Sequence, residues 1–266
     1  MHPQFDLSGR VAMITGGGQG IGRVYALAYA KAGAIAVIAE QNAENAERVA
    51  AEVRAAGGQA LALTTDVASA DSAGSAVAAT LAEFGRLDIL VNNAGIFSTI
   101  KMRPFTDIPL EEWEQVLRVN VTGPFLMARA VAPTMQKQAY GRIINMGSAA
   151  VSMGRPNYLH YITSKSALVG MSRSLARELG AHGVTVNTIL PGAVATEIER
   201  ETVTPAQKQA MISMRCVSRE QTPDDLIGTV LFLSSPASAF LTGQSLTVDG
   251  GLTLDRKSTR LNSSHG

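Results

Sequence analysis

Short apolar runs alternate with longer amphipathic segments along almost the whole chain. The runs have the length of buried strands, and the segments between them repeat apolar residues at helical spacing. The predicted strands are Arg10–Thr15, Ile35–Ala39, Ala60–Thr65, Asp88–Asn92, Arg142–Met146, Val184–Leu190 and Ser245–Val248. The predicted helices are Ile21–Ala32, Asn42–Ala56, Ser69–Phe84, Glu111–Gln138, Tyr158–Ala181 and Pro223–Leu233. This alternation predicts an α/β fold with a doubly wound parallel sheet of about seven strands and helices on both faces.

No linker or internal repeat interrupts this alternation, so we expect residues 1–254 to form a single domain. Two segments depart from it. The connection 193–214 is long for a link between a strand and a helix, and we interpret it as a substrate lid with a short helix. Residues 255–266 are polar and lack apolar periodicity, so we expect a disordered tail. Their sequence resembles the in-frame translation of a sequencing adapter, which would make the tail non-native.

Composition and charge narrow the classes of partner. Hydrophobic residues make up 46% of the chain and charged residues 17%, with a net charge of +1. This balance suits a compact soluble protein and offers no basic surface for nucleic acid or an anionic membrane. We find neither a signal-peptide pattern nor a membrane-spanning apolar run. Cys216 is the one cysteine, which is compatible with a reducing compartment. We therefore predict a cytoplasmic protein with small-molecule partners and no metal site.

A glycine-rich turn follows the first predicted strand and opens the first predicted helix. Gly16, Gly20 and Gly22 would let backbone N–H groups approach a pyrophosphate at the positive end of the helix. Glu40 ends the second strand about twenty residues later, where an acidic side chain can bind an adenosine ribose diol and repel a 2′-phosphate. No arginine lies within the turn. The pattern favours NAD, although a plain connector and a solvated glutamate would also explain these residues.

Further polar residues follow the third and fourth predicted strands. Asp66 comes after the third, and Asn92-Asn93-Ala94-Gly95 after the fourth. Open α/β sheets bind ligands at the carboxyl ends of their strands, so these positions converge on one crevice. Taken singly, Asp66 would also serve as a helix cap and the asparagine-glycine segment as an ordinary turn.

Candidate catalytic residues lie further along the chain. Tyr161 and Lys165 are one helical turn apart and share a helix face, so the ammonium group can lie beside the phenol and favour its anion. The phenol then becomes usable as an acid or base nearer neutral pH. Ser148 precedes them at the end of a predicted strand. Alone, the pair would also fit an exposed helix surface, and Ser148 a strand-end cap.

These motifs in this order resemble the short-chain dehydrogenase/reductase family in its compact single-domain form, from Leu7 to Leu252. The resemblance is carried by Thr15–Gly22, Asp66, Asn92–Gly95, Asn120, Ser148, Tyr161-x-x-x-Lys165, Pro191-Gly192, Thr196 and Val248–Gly251. It implies a Rossmann-type fold, a nicotinamide cofactor and a catalytic tetrad of Asn120, Ser148, Tyr161 and Lys165. Ser148 would bind the substrate oxygen and Tyr161 would exchange its proton. Lys165 would also hydrogen-bond the nicotinamide ribose and join a water relay near Asn120. Without the resemblance, Asn120 would be interpreted as a polar residue that kinks its helix.

The resemblance also implies a cofactor site. Its residues would be Gly16, Gln19, Gly20, Ile21, Gly22, Glu40, Asp66, Val67, Asn93, Ala94, Gly95, Tyr161, Lys165, Pro191, Gly192, Val194 and Thr196. In this family, three residues between the tyrosine and the lysine go with carbonyl or alcohol substrates, and Glu40 stands where NAD-preferring relatives usually carry aspartate. We therefore predict an NAD-dependent alcohol dehydrogenase or carbonyl reductase that interconverts a secondary alcohol and a ketone. NADP is the less favoured cofactor.

The substrate pocket is the least specific prediction. Its apolar residues would be Phe97, Ala150, Met153, Tyr158 and Ile198. They suit a cyclic or aromatic secondary alcohol, although methionine and aromatic residues are often plain core. We interpret His160 as a surface residue, because it points about 100° around the helix from Tyr161. Arg155 fits either an anionic substrate or a solvated loop.

Two other functions remain open. An NADPH-linked 3-oxoacyl thioester reductase would need a cationic surface near the pocket mouth and a tolerant Glu40 site. A non-catalytic dinucleotide-binding regulator is also compatible with the fold. In this family, the helices equivalent to Glu111–Gln138 and Tyr158–Ala181 pair subunits, so we predict a homotetramer.

Overall fold

The computed structural model describes residues 5–198 and 205–254, which form a three-layer α/β structure. The strands are β1 Val11–Thr15, β2 Ile35–Glu40, β3 Ala60–Thr64, β4 Ile89–Asn92, β5 Gly141–Met146, β6 Val184–Pro191 and β7 Ser245–Val248. The helices are α1 Gly20–Lys31, α2 Ala43–Ala55, α3 Ala70–Phe84, α4 Leu110–Leu117, α5 Gly123–Lys137, α6 Ala150–Met153, α7 Leu159–Leu179, α8 Pro205–Met214 and α9 Asp224–Ser234. The predicted tail, 255–266, lies outside the described residues.

The seven strands form one parallel sheet in the order β3-β2-β1-β4-β5-β6-β7. From β3 at one edge, the chain crosses back to place β4 beside β1, so the strand order reverses between these two strands. A reversal of this kind opens a crevice at the carboxyl ends of the strands. The predicted Rossmann-type, seven-stranded single domain is confirmed.

Each face of the sheet has its own hydrophobic core. Successive residues of β1 point to opposite faces: Ala12 and Ile14 enter one core, Val11 and Met13 the other. Helices α1, α2 and α9 cover the first face, and α3, α5 and α7 cover the second. Because β1 is buried on both sides, its first four residues are all apolar instead of alternating with polar ones.

The second half of the chain differs locally from the prediction. The predicted helix Glu111–Gln138 is two helices, α4 and α5, joined by a π-helical turn at Arg118–Thr122. The predicted helix Tyr158–Ala181 is α7 followed by a 3₁₀ turn at Gly180–His182. The four-residue helix α6 was not predicted, because a single turn is too short to show helical periodicity.

The segment that we interpret as a lid leaves the sheet after β6 and includes α8, so the short helix expected there is present. The lid residues 199–204 lie outside the described part of the chain. Of the helices within residues 5–198 and 205–254, none has the length and hydropathy needed to cross a membrane.

Candidate active site

A crevice of about 560 Å³ opens at the carboxyl ends of the central strands. Many of the predicted cofactor residues line it: Gly16, Gln19, Ile21, Glu40, Asp66, Val67, Asn93, Ala94, Gly95 and Thr196. They come from the ends of β1, β2, β3 and β4 and from the lid, so the convergence expected from the sequence is observed. The crevice has the size and the mixed polar and apolar lining of a cofactor site.

The turn between β1 and α1 requires glycine at several positions. A Cβ added to Gly22 would lie 2.1 Å from the Gly16 carbonyl oxygen, and one added to Gly16 would lie 2.9 Å from the Ala94 Cα. Gly20 has a φ of +55°, which other residues rarely adopt. The turn therefore brings the backbone amides of the α1 N-terminus to the edge of the crevice, where a pyrophosphate would fit.

Asn93, directly after β4, holds this turn in place. Its side-chain amide donates to the carbonyl oxygens of Thr15 and Gly16 at 3.0 and 3.1 Å. The backbone N–H groups of Asn93 and Ala94 donate to the Thr15 hydroxyl, each at 3.0 Å. These contacts tie the ends of β1 and β4 together, so Asn93 both lines the crevice and holds its shape.

Charges of both signs flank the predicted adenosine end. The Glu40 carboxylate accepts hydrogen bonds from the backbone N–H groups of Gly18 and Asn42, each at 3.2 Å. Arg48, on α2, donates to the Gly18 carbonyl oxygen at 2.7 Å and pairs with Glu52 at 2.9 Å. No arginine lies within the glycine turn itself. No pattern in the sequence indicates that Arg48, from α2, folds against this turn.

Asp66 lines the crevice together with Val67. It does not cap the following helix, because Ser69 is the N-cap of α3. The Asp66 carboxylate instead accepts the Ala68 N–H at 2.9 Å, in the turn that precedes this helix.

A lid carboxylate also reaches the turn. Glu197 Oε1 accepts the Gly20 N–H at 2.8 Å, directly at the N-terminus of α1. Burial would raise the pKa of Glu197, but the Gly20 N–H and the nearby charges of Arg23 and Arg48 lower it below its usual value. An ionised carboxylate thus rests on an amide that the predicted pyrophosphate would use. Sequence reasoning missed this contact, which joins residues far apart in the chain.

The catalytic candidates line a smaller cavity of about 80 Å³, formed around Ser148, Tyr161 and Lys165. Pro191, Gly192 and Val194 also line it, as do residues that border the larger crevice: Ile21, Asn93, Gly95, Ile96 and Phe97. The two cavities therefore meet. Of the predicted cofactor residues, Gly20 and Gly22 shape the turn instead of lining either cavity.

Lys165 is buried beside Tyr161. Its Nζ lies 5.8 Å from the Tyr161 ring centroid and donates to the Met146 carbonyl oxygen at 2.8 Å. Burial lowers the pKa of Lys165 from its usual 10.5 to about 8. The amine is therefore turned toward the tyrosine and the cavity, as the helical spacing predicted.

Asn120 lies behind the cavity, fully buried in the π-helical turn. Its Oδ1 accepts the Ile96 N–H at 2.7 Å, and its Nδ2 donates to the Ile96 carbonyl oxygen and to Ser164 Oγ, both at 3.1 Å. Ser164 Oγ in turn donates to the Tyr161 carbonyl oxygen at 2.8 Å. Asn120 thus holds the strand exit after β4 against α7, at the level of the tyrosine.

Four of the five predicted substrate residues lie at or beside these cavities, and the fifth does not. The Tyr158 ring stacks on the Tyr161 ring at 4.5 Å, and its hydroxyl donates to the Phe97 carbonyl oxygen at 3.2 Å. Phe97 lines both cavities, and Ile198 lines the larger one. Ala150 adjoins the site, where its N–H donates to Ser148 Oγ at 3.2 Å. Met153 is 46% exposed on α6, and the structure does not bring it to these cavities.

The interpretation of His160 as a surface residue is wrong. Its side chain is fully buried, and Nε2 lies 3.0 Å from Glu112 Oε1 on α4. Glu112 also pairs with Arg103 at 3.0 Å. Helix α4 packs over the start of α7 and covers the histidine, which the position of His160 on its own helix could not reveal.

Metal-binding residue types do not gather at this site or elsewhere in the described ranges: no three His, Cys, Asp or Glu side chains there could hold an ion together.

Comparison with known proteins places this site in a family. Residues 16–253 match the family described as Enoyl-(Acyl carrier protein) reductase. The chain is 39% identical over 251 residues to a 3-oxoacyl-(acyl-carrier-protein) reductase of Synechocystis sp., with 93% of this chain and 98% of the relative covered.

Two solved structures share the fold closely. A short-chain type dehydrogenase/reductase from Mycobacterium marinum superposes with a TM-score of 0.85 at 38% identity, over 94% of this chain and 98% of the other. A protein described as an NAD(P) dependent gluconate 5-dehydrogenase from Beutenbergia cavernae, with bound NADP at low occupancy, superposes with a TM-score of 0.87 at 36% identity, with the same coverage. Agreement over this much of the chain shows that it belongs to the short-chain dehydrogenase/reductase family of oxidoreductases, which bind a nicotinamide dinucleotide.

Proposed function

We propose that this protein is an NAD(H)-dependent oxidoreductase that interconverts a secondary alcohol and a ketone. The observation that carries the proposal is that Ser148, Tyr161 and Lys165 line one cavity that meets a dinucleotide-sized crevice. A proton donor, a hydrogen-bonding hydroxyl and a cation lie together beside the crevice, which supports a reaction there between a substrate carbonyl and a bound cofactor.

Each of the three residues has a distinct task in this proposal. The Tyr161 hydroxyl gives a proton to the ketone oxygen during reduction and takes it back during oxidation. Ser148 Oγ hydrogen-bonds the same oxygen and holds it beside the phenol. The Lys165 charge stabilises the tyrosine anion that remains after the proton has been given to the ketone. A bound nicotinamide would supply or accept the hydride.

Glu40 supports NAD as the preferred cofactor. Its carboxylate lines the crevice and is held in place by two backbone N–H groups. A 2′-phosphate next to that carboxylate would be repelled by its charge, whereas a ribose diol would find a hydrogen-bond acceptor.

A second candidate is an NADPH-linked 3-oxoacyl thioester reductase. Arg48 favours it, because its guanidinium contacts the glycine turn close to Glu40 and would attract a 2′-phosphate. The similarity to the Synechocystis reductase supports the same candidate, and the bound NADP of the Beutenbergia protein supports the cofactor.

Cofactor titration and a substrate panel separate these functions. We expect NADH to bind more tightly than NADPH and to support reduction of cyclic or aromatic ketones. Glu40→Ala should reduce the ratio of the NADPH dissociation constant to that of NADH. Glu44→Ala, on the exposed first turn of α2, is the control.

Tighter NADPH binding with turnover of an acetoacetyl thioester would favour the second candidate. Binding without turnover across the panel would favour a regulator.

A further inference from the structure

A cavity of about 230 Å³ lies between α8 and the segment that follows β6. It shares Thr196 and Ile198 with the cofactor crevice and Val194 with the catalytic cavity. A substrate whose reacting carbon lies at Tyr161 would therefore extend toward this cavity with the rest of its body.

Cations outnumber carboxylates around this cavity. Arg155, Lys208 and Arg215 line it, against the single carboxylate of Glu220. Lys208 pairs with Glu220 at 2.5 Å, which satisfies both of these groups. Arg155 and Arg215 form no ion pair with any residue of the described ranges, so within those ranges neither positive charge has a partner of opposite sign.

Arg215 is a buried cation with a donor to spare. The residue is 5% exposed. Its Nη1 and Nη2 donate to the carbonyl oxygens of Arg219 and Ala193, both at 2.8 Å. Its Nε–H has no acceptor among the described residues. A buried charge without a counter-charge is costly, and an anion in the cavity would offset that cost.

Arg155 lies near the reacting groups. Its guanidinium carbon is 5.8 Å from the Tyr158 ring centroid, and that ring stacks on Tyr161 at 4.5 Å. The guanidinium therefore lies within about 10 Å of the Tyr161 ring. Its Nη2 makes a weak contact with Met102 Sδ at 3.5 Å, which leaves the planar fork available for a carboxylate.

We propose that this cavity is a subsite for a carboxylate on the substrate, so that the preferred substrates are oxo and hydroxy acids. The inference rests on the proposed function, which puts the reacting carbon at Tyr161. Arg155 binds the carboxylate directly, and the buried charge of Arg215 favours the anion. Met211 and Ile212, which also line the cavity, contact the hydrocarbon stem between the two groups. Because Arg155 is not adjacent to Tyr161, several bonds separate the carboxylate from the reacting carbon.

Paired ketone substrates that differ only in charge test this subsite. We would measure kcat and KM with NADH for 4-oxopentanoate, 5-oxohexanoate and 6-oxoheptanoate, each beside its neutral primary amide. For at least one length, the acid should have a kcat/KM about ten- to a hundredfold above that of the amide, as expected for hydrogen bonds to a charged group. The difference should lie in KM, since the carboxylate takes no part in the proton transfer.

Variants assign the effect to Arg155. Arg155→Met should remove the preference by raising KM for the acid much more than KM for the amide, and Arg155→Lys should restore part of the preference. Arg177→Met, which removes an exposed arginine near the end of α7, should keep the preference of the original chain.

Several results would contradict the proposal of a carboxylate subsite. The acids and the amides could be reduced with equal kcat/KM, or Arg155→Met could lower kcat/KM for both alike. A thioester on an acidic carrier protein could be preferred to every free acid. In each case neutral ketones would still be reduced, and the proposed function would stand. No reduction of any ketone, with NADH bound, would instead overturn the proposed function.

Discussion

Glu197 competes, in the proposed function, for a backbone amide that a pyrophosphate would use. Its carboxylate accepts the Gly20 N–H at 2.8 Å, and its lowered pKa keeps it charged at neutral pH. Glu197→Gln removes the charge and keeps the shape, so we expect NADH to bind about three- to tenfold more tightly. Fluorescence titration of NADH measures this, with Glu178→Gln, on the exposed side of α7, as the control.

The opposite result would be informative. If Glu197→Gln bound NADH more weakly, the Glu197 carboxylate would help to hold the lid against the glycine turn when NADH is bound. That result would disprove competition between Glu197 and the pyrophosphate.

Lys165 gives the folded protein a specific dependence on pH. Its pKa is about 8 in the folded chain and 10.5 when exposed. Between these values the unfolded chain binds more protons, so the free energy of unfolding rises with pH across this window. The full rise is about 3 kcal/mol. Urea denaturation of the cofactor-free protein from pH 7.5 to 10 should show it, and Lys165→Met should lack it. Parallel curves for the two proteins would contradict the burial of a charged amine.

Single residues differ in how far the sequence predicts them. Tyr161 and Lys165 are four positions apart on one helix, so their proximity follows from helical geometry alone. Glu197 and Arg48 reach the glycine turn only after the lid and α2 have packed, and His160 is buried by Glu112 on another helix. Contacts between elements of this kind leave no local pattern in the sequence.

The π-helical turn between α4 and α5 is the element that positions the Tyr161 side of the crevice. It directs Asn120 into the protein, where the side chain bonds both backbone groups of Ile96. Asn120→Ala would leave those groups and Ser164 Oγ without these bonds, so we expect a loss of about 2–3 kcal/mol in the free energy of unfolding.

Chemical denaturation measures that loss. Asn42→Ala, which removes an exposed N-cap from α2, is the matched control and should cost about 1 kcal/mol. Equal losses in the two variants would show that Asn120 has no special role in holding the turn.

Elements were predictable where apolar periodicity runs for several turns. The buried strands and long helices have that signal, and the positive φ values at Gly33 and Gly85 match the glycines that follow α1 and α3. The π-helical turn keeps the apolar spacing of its neighbours, so the sequence reads α4 and α5 as one helix. Helix α6 is too short for a period to appear.

Assembly is a property of the whole molecule that stays a prediction. Phe125 on α5 is 45% exposed and Leu159 on α7 is 43% exposed, on the two helices that we expect to pair subunits. Light scattering at micromolar concentration should give about 112 kDa, four times the 27.9 kDa of one chain. The mass of a single chain would contradict the homotetramer.

In the proposed function, the Tyr161 hydroxyl transfers the proton beside a bound nicotinamide. The most direct measurement compares kcat for ketone reduction, and the dissociation constant of NADH, between the original chain and Tyr161→Phe. Tyr140→Phe, which removes a hydroxyl that donates to the Ser234 carbonyl oxygen at the amino end of β5, is the control. We predict that Tyr161→Phe lowers kcat about 10²–10⁴-fold and leaves NADH binding unchanged. A kcat within a few-fold of the original chain would contradict the account.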